Sequence, residues 1–324
     1  MILILITILK ILSIVVPLLI AVAYFTIAER KIMGSIQRRR GPNVVGYIGL
    51  LQPLADGLKL FAKETTLPAS ANTGIFLLAP SLSFILSLIG WSVIPFSEGA
   101  VLCDINLGIL YLFAISSLNV YGILFAGWSS NSKYAYLGAL RSAAQMISYE
   151  VFMGLSILGV VMMSGTFSLK GIVEAQRDIW FVGPQFLGFC LFLIAAVAES
   201  HRAPFDMPEA EGELIAGFHT EYSGIKFGMF FVGEYLGITL VSAVIVTLFF
   251  GGWLAPAFIP YSYLVPPVLW FLFKTFCFIA FIILLRASLP RPRYDQFMEV
   301  GWKIILPLTL LNILVTAGIL LMKG

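Results

Sequence analysis

Charge is scarce in this chain. Of its 324 residues only 11% are Asp, Glu, Lys or Arg, where soluble domains carry about 25%. That leaves no room for a conventional soluble domain. Cysteine and histidine are scarcer still. Cys103, Cys190 and Cys277 stand far apart, no CxxC occurs, and the two histidines are His201 and His219. Iron–sulfur clusters and structural zinc need closely grouped thiolates or imidazoles. No metal is therefore expected on this chain, and the cysteines read as small buried hydrophobes. Neither GxGxxG nor GxxxxGK[ST] appears, so nothing argues for a nucleotide site. The apolar segments also lack the period-2 alternation of a membrane β-barrel.

What is abundant is apolar sequence: 60% of the residues are hydrophobic and the mean hydropathy is +0.98. A membrane-spanning helix needs about 20 mostly apolar residues. Such runs occur at Met1–Ala28, Ile75–Pro95, Ile105–Trp128, Tyr136–Met163, Ile179–Ala198, Phe227–Phe250, Val265–Leu285 and Val300–Met322. The expected fold is an all-α polytopic membrane protein, a single membrane domain over residues 1–324 with about eight transmembrane helices. The first run is too long for a signal-peptide core, contains Lys10 and Pro17, and ends in Glu29-Arg30-Lys31. It reads as a retained helix.

Eight helices sort the charges to one side. The loops after helices 1, 3, 5 and 7, with their flanks, hold 15 of the 20 basic residues, including Arg38–Arg40, Lys59, Arg141 and Arg293. The positive-inside rule places that side in the cytoplasm or an organelle's matrix, with both termini on the other. Eleven of the 17 acidic residues share it. Two loops there, 29–74 and 199–226, exceed the usual 2–8 residues of a helix–helix connection. Long charged loops with apolar stretches such as Gly49–Leu54 suit docking or site-building better than plain solvation.

Three charges fall inside the apolar runs: Glu150, nine residues beyond Arg141; Glu234; and Lys274, twelve residues before Arg286. Ionised groups at that depth cost several kcal/mol, face the bundle interior, and mark ion or proton pathways. A structural ion pair, for instance Lys274 with Glu234, is the plainer alternative. The densest chemistry lies in loop 199–226, where Arg202 precedes Pro204-Phe205-Asp206 and Glu209, Glu211 and Glu213 crowd together. Crowded carboxylates beside a membrane resist ionisation and titrate as a coupled set, which a proton relay requires.

At this point a family becomes recognisable. The stretch Gly49–Glu64 (GLLQPLADGLKLFAKE) and the stretch Pro204–Gly217 (PFDMPEAEGELIAG) resemble the two signatures of the quinone-site membrane subunit of respiratory complex I, a family with mitochondrial and bacterial members. Glu29-Arg30-Lys31, Arg40-Gly-Pro-Asn, Glu221-Tyr222, Arg286 and Arg291-Pro-Arg-Tyr-Asp-Gln296 match as well. The likeness covers essentially the whole chain and is closest to the mitochondrial type. His201, where many relatives carry Asn, and Tyr47, for a frequent Pro, depart from the pattern without touching a charged motif position.

The resemblance implies a function that composition could not show. Ubiquinone, the substrate, would enter from the bilayer through a tunnel in this subunit. Tunnel and quinone-site residues would be Arg30, Arg40, Asp56, Lys59, Phe205, Asp206, Phe218 and Arg286. A proton relay would use Glu150, Asp206, Glu209, Glu211, Glu213, Glu221 and Glu234, with Glu29, Arg141, Arg202 and Lys274 as charge partners. FMN and iron–sulfur clusters would sit on partner subunits: a peripheral arm holding the terminal cluster, with antiporter-like subunits and lipid in the membrane arm. No nucleic acid is expected. The implied location is the mitochondrial inner membrane, with a bacterial plasma membrane as the alternative. A membrane subunit of an energy-converting hydrogenase and a stand-alone secondary transporter are the competing readings.

Overall fold

A computed structural model describes residues 2–207, 215–256 and 265–323. Eleven α-helices account for most of them: α1 (Ile2–Ile36), α2 (Gln52–Ala62), α3 (Thr73–Ile89), α4 (Gly108–Ser129), α5 (Lys133–Ser164), α6 (Leu169–Ala175), α7 (Phe186–Glu199), α8 (Gly224–Phe249), α9 (Pro267–Ser288), α10 (Tyr294–Val300) and α11 (Leu306–Lys323). Among the described residues seven helices are long and apolar enough to cross a membrane, and α7 is a shorter apolar helix. The chain is an all-α polytopic membrane protein. Apolar side chains such as Leu77, Phe273 and Leu314 face outward, as they must where the surroundings are acyl chains rather than water.

Three helix ends differ from the apolar runs, each for a local reason. Hydropathy stops α1 at Ala28, yet the helix continues to Ile36, because Glu29-Arg30-Lys31 are good helix formers that leave the membrane without breaking the helix. The fifth run contains Gly183-Pro184, and the helix begins only at Phe186. Gly-Pro punctuates helices because proline lacks an N–H and constrains the residue before it. The last run is entered through α10 and a π-helical turn, Gly301–Ile305, just before Pro307, which has no N–H to donate back to Lys303.

Helix α5 is the hub, packing against α4, α7 and α11, while α3 lies between α4 and α8. Close approach needs small residues. A Cβ on Gly301 would meet Phe152 Cε2 at 2.8 Å, and one on Gly138 would meet Gly217 Cα at 2.7 Å. Direct contacts define the two ends of the bundle. At one end Asn72 N–H bonds Ser129 O at 3.0 Å, Thr66 N–H bonds Ser223 Oγ at 3.0 Å, and Glu29 meets residues of α9 and the α7–α8 connection. At the other, Arg177 lies 3.6 Å from Glu98 and Val182 N–H bonds Phe249 O at 3.0 Å. Both long charged loops therefore reach the first end.

Candidate functional site

The first end of the bundle brings four elements onto one carboxylate. Glu29, near the end of α1, is only 4% exposed. Arg202 Nη1, from the chain just after α7, lies 3.2 Å from Glu29 Oε1. Arg286, from the last turn of α9, donates to the same oxygen. Tyr235 Oη, from α8, donates to Oε2 at 2.5 Å, and the Arg202 guanidinium sits 4.2 Å above the Tyr235 ring. Burying a lone carboxylate is expensive; two arginines and a phenol hydroxyl offset that cost. Burial alone would lower the Arg202 pKa, but Glu234, Tyr235 and Glu29 around it hold it above the ordinary guanidinium range.

Around this cluster the chain after α7 is fastened from three sides. Gln145 Nε2, on α5, donates to Ala198 O at 2.7 Å and Phe205 O at 2.8 Å. Ser142 Oγ and His201 Nε2 lie 3.0 Å apart. Phe205 stacks on Phe297 at 4.5 Å, and Tyr149 stacks on Phe297 at 4.5 Å as well. Asp206, expected beside Arg202, instead pairs with Arg291 Nη2 at 2.8 Å. The reason is competition: Arg202 is already engaged by Glu29, and Arg291 follows α9 closely enough to reach the loop.

The remaining predicted residues spread outward from there. Arg30 pairs with Asp56 at 2.8 Å, and Gln52 Nε2 donates to the other Asp56 oxygen at 3.0 Å, so α2 is tied to α1. Lys59 and Arg40 are exposed on that face, and Glu221 is half-buried. Phe218 is buried against His219 and Phe230. Arg141 lies 5.5 Å from the Tyr294 ring centre. Glu209, Glu211 and Glu213 lie outside the described residues.

A second polar patch lies between α3, α4, α5 and α8. Glu150 Oε1 accepts from Ser116 Oγ at 3.0 Å and Ser117 Oγ at 2.5 Å. Beside it is a cavity of about 120 Å³ whose lining includes Ser87, Ser116, Asn119, Met146 and Glu199. Such a volume has room for several waters, provided polar groups hold them. Glu199 Oε2 is buried there and has no hydrogen-bond partner among the described residues, and Glu150 and Glu199 are near enough to repel. Lys274 takes no part. Its ammonium donates to Phe250 O, Gly252 O and Leu254 O at 2.7, 3.1 and 2.6 Å and sits 4.3 Å over the Trp180 ring. That is the far end of α8, about 22 Å along the helix from Glu234, so the suggested Lys274–Glu234 pair does not form.

Sequence reading missed Tyr235, Glu199, Ser116, Ser117 and Gln145. Only Glu199 carried a signal, as an acid closing an apolar run; hydroxyls and amides in apolar helices are too common to single out.

Known proteins share this sequence over nearly its whole length. Residues 9–317 match the family model described as NADH dehydrogenase. The chain is 57% identical over 312 residues to NADH-ubiquinone oxidoreductase chain 1 of Chondrus crispus, covering 96% of each. It is 57% identical over 309 residues to an NADH-quinone oxidoreductase subunit of Methylococcus capsulatus, covering 95% of this chain and 96% of that one. The corresponding NADH-quinone oxidoreductase subunit of Rickettsia prowazekii is 53% identical over 318 residues, 96% and 93% of the two chains.

Proposed function

Because the chain belongs to the NADH dehydrogenase family, we propose that it forms the quinone passage of an NADH:quinone oxidoreductase and couples quinone reduction to proton translocation. It is a membrane subunit of that respiratory complex, and quinone is the substrate. The observation that carries the coupling role is the convergence of Arg202, Arg286 and Tyr235 on buried Glu29, at the end of the bundle where both long charged loops lie. FMN and iron–sulfur clusters belong to partner subunits of a peripheral arm that docks on those loops. Antiporter-like subunits adjoin the membrane face.

Quinone reduction to quinol takes two electrons, from the partner's terminal cluster, and two protons. This chain's residues hold and move the protons. The Asp206–Arg291 pair and the adjoining acidic loop respond to the charge change at the quinone head. The Glu29 cluster passes that response to Glu234, whose charge acts on Arg202. Glu150, Glu199 and the small cavity between them carry it into the membrane. Electrostatic coupling is strong where water is scarce. The membrane is that of mitochondria, with both relative types, mitochondrial and bacterial in name, equally close in sequence.

The test is purification of the tagged chain in mild detergent. The expected result is co-purification with flavin- and iron–sulfur-bearing subunits and NADH:ubiquinone reductase activity. Glu29→Gln should lower that activity while sparing NADH:ferricyanide reduction, which needs only the partner's electron input. A tagged chain that isolates alone and moves ions without partners would establish the transporter reading instead.

A further inference from the structure

Away from the charged end, α1 stands off from the bundle. Its buried residues are Val22, Phe25, Ile27 and Glu29, all in its second half. Between its first half and α9 opens a slot of about 920 Å³, lined from Lys10 to Ala28 on α1 and from Val268 to Ile279 on α9, with Trp91 and Phe96 at its back. Along α1 that is about 27 Å, long enough for a fully extended acyl chain.

Two polar groups mark one end of this slot. The Lys10 ammonium has no hydrogen bond or ion pair among the described residues. Trp91 is 4% exposed, and its indole N–H is buried with no acceptor among them. Both sit at one depth. Lys10 lies nineteen residues from Glu29 on α1, and Trp91 nineteen residues from Asn72, at the charged end of α3. Each is about 28 Å from that end, close to the hydrocarbon thickness of about 30 Å. The slot therefore offers a cation and an N–H donor at the membrane–water boundary, and apolar walls inward.

We propose that this slot is a binding site for an anionic glycerophospholipid of the leaflet opposite the charged loops. Its phosphate pairs with Lys10, an ester carbonyl accepts the Trp91 indole N–H, and one acyl chain lies between α1 and α9. A partner's transmembrane helix satisfies neither group, since its carbonyls are bonded within the helix. An isoprenoid tail carries no anion for Lys10.

The intact complex, reconstituted in nanodiscs with a trace of acyl-diazirine phosphatidylglycerol or the matching phosphatidylcholine, tests this by photolabelling and peptide mapping. The phosphatidylglycerol probe should label residues 10–28 and 268–279 about five-fold more than the phosphatidylcholine probe, the preference one lysine at an anionic headgroup supports. Lys10→Gln should abolish the preference, and Trp91→Phe should lower labelling by both probes. Equal labelling by the two lipids, indifference to Lys10→Gln, or no label in either segment overturns the proposal. Displacement by added ubiquinone overturns it as well, and gives the slot to a quinone tail.

Discussion

Glu29 shows how one buried charge organises its neighbours. Its partners are unequal: the Arg202 side chain is 9% exposed and that of Arg286 is 32%. Removing a buried partner strands the other charge, at about 3–5 kcal/mol. Arg202→Met should thus destabilise the complex by that order, and Arg286→Met by less, because water reaches Arg286 and bulk solvent weakens its pairing. Tyr235→Phe removes one hydrogen bond to a charge, about 1.5–3 kcal/mol. Thermal stability of the assembled complex, measured across the three variants, checks the ranking; equal losses for Arg202→Met and Arg286→Met would contradict it. Sequence reading found Glu29, Arg202 and Arg286 through charge and motif. It chose Glu234 for its depth and passed over Tyr235 beside it, because a tyrosine in an apolar helix reads as packing. Only the rotation of α8 about its axis tells which of the two neighbours touches Glu29, and no sequence pattern fixes that rotation when the whole helix is apolar.

At the scale of elements, the deep charges separate into two kinds. Lys274 joins α9 to the carbonyls ending α8, which a helix otherwise leaves unsatisfied, and the negative end of the helix dipole favours the ammonium. Glu150 is held by two serine hydroxyls beside a cavity. Depth alone made both look like pathway residues; what differs is whether the partner is fixed backbone or a hydroxyl with room for water next to it. Lys274→Met should lower the amount of assembled complex several-fold, since each stranded carbonyl costs about 1–3 kcal/mol, while the complex that does assemble keeps its proton-to-electron ratio. Glu150→Gln should do the reverse, because an amide oxygen still accepts from both serines but does not titrate. Complex level and proton-to-electron ratio measured together decide it. A normal ratio in Glu150→Gln would remove that residue from the relay. The same scale explains α7: its apolar run was legible, and so was Gly183-Pro184, but hydropathy averages over the break and extends the helix through it.

Across the whole molecule, the distribution of lysine and arginine and the contacts between loops give the same topology by independent routes. Basic residues follow the machinery of insertion; the contacts follow packing. That is why helix number and sidedness could be read from sequence, whereas the seat of each loop at the bundle's end could not: it depends on pairs such as Arg291–Asp206 and Arg30–Asp56, between residues far apart in sequence. The topology has a direct test in the chain's own chemistry. Cys103 is exposed, beyond α3 at the end away from the charged loops. Ser70 is exposed at the charged end, where Asn131 Nδ2 donates to its carbonyl. In a background with Cys190 and Cys277 replaced by alanine, an impermeant maleimide added to intact mitoplasts should label Cys103 at once. A thiol placed at position 70 by Ser70→Cys, in a chain that also carries Cys103→Ala, should stay unlabelled until the membrane is opened, and then only as far as the docked peripheral arm allows. Removing that arm with a chaotrope should raise labelling of position 70 and leave position 103 unchanged. Labelling of both positions from the same side would require an odd number of crossings to be lost between them, and α3 is the one helix there, 17 residues extended by the turn Gly90–Val93. The experiment thus asks whether α3 spans, and through it whether the charged end and the lipid slot face opposite sides of the membrane.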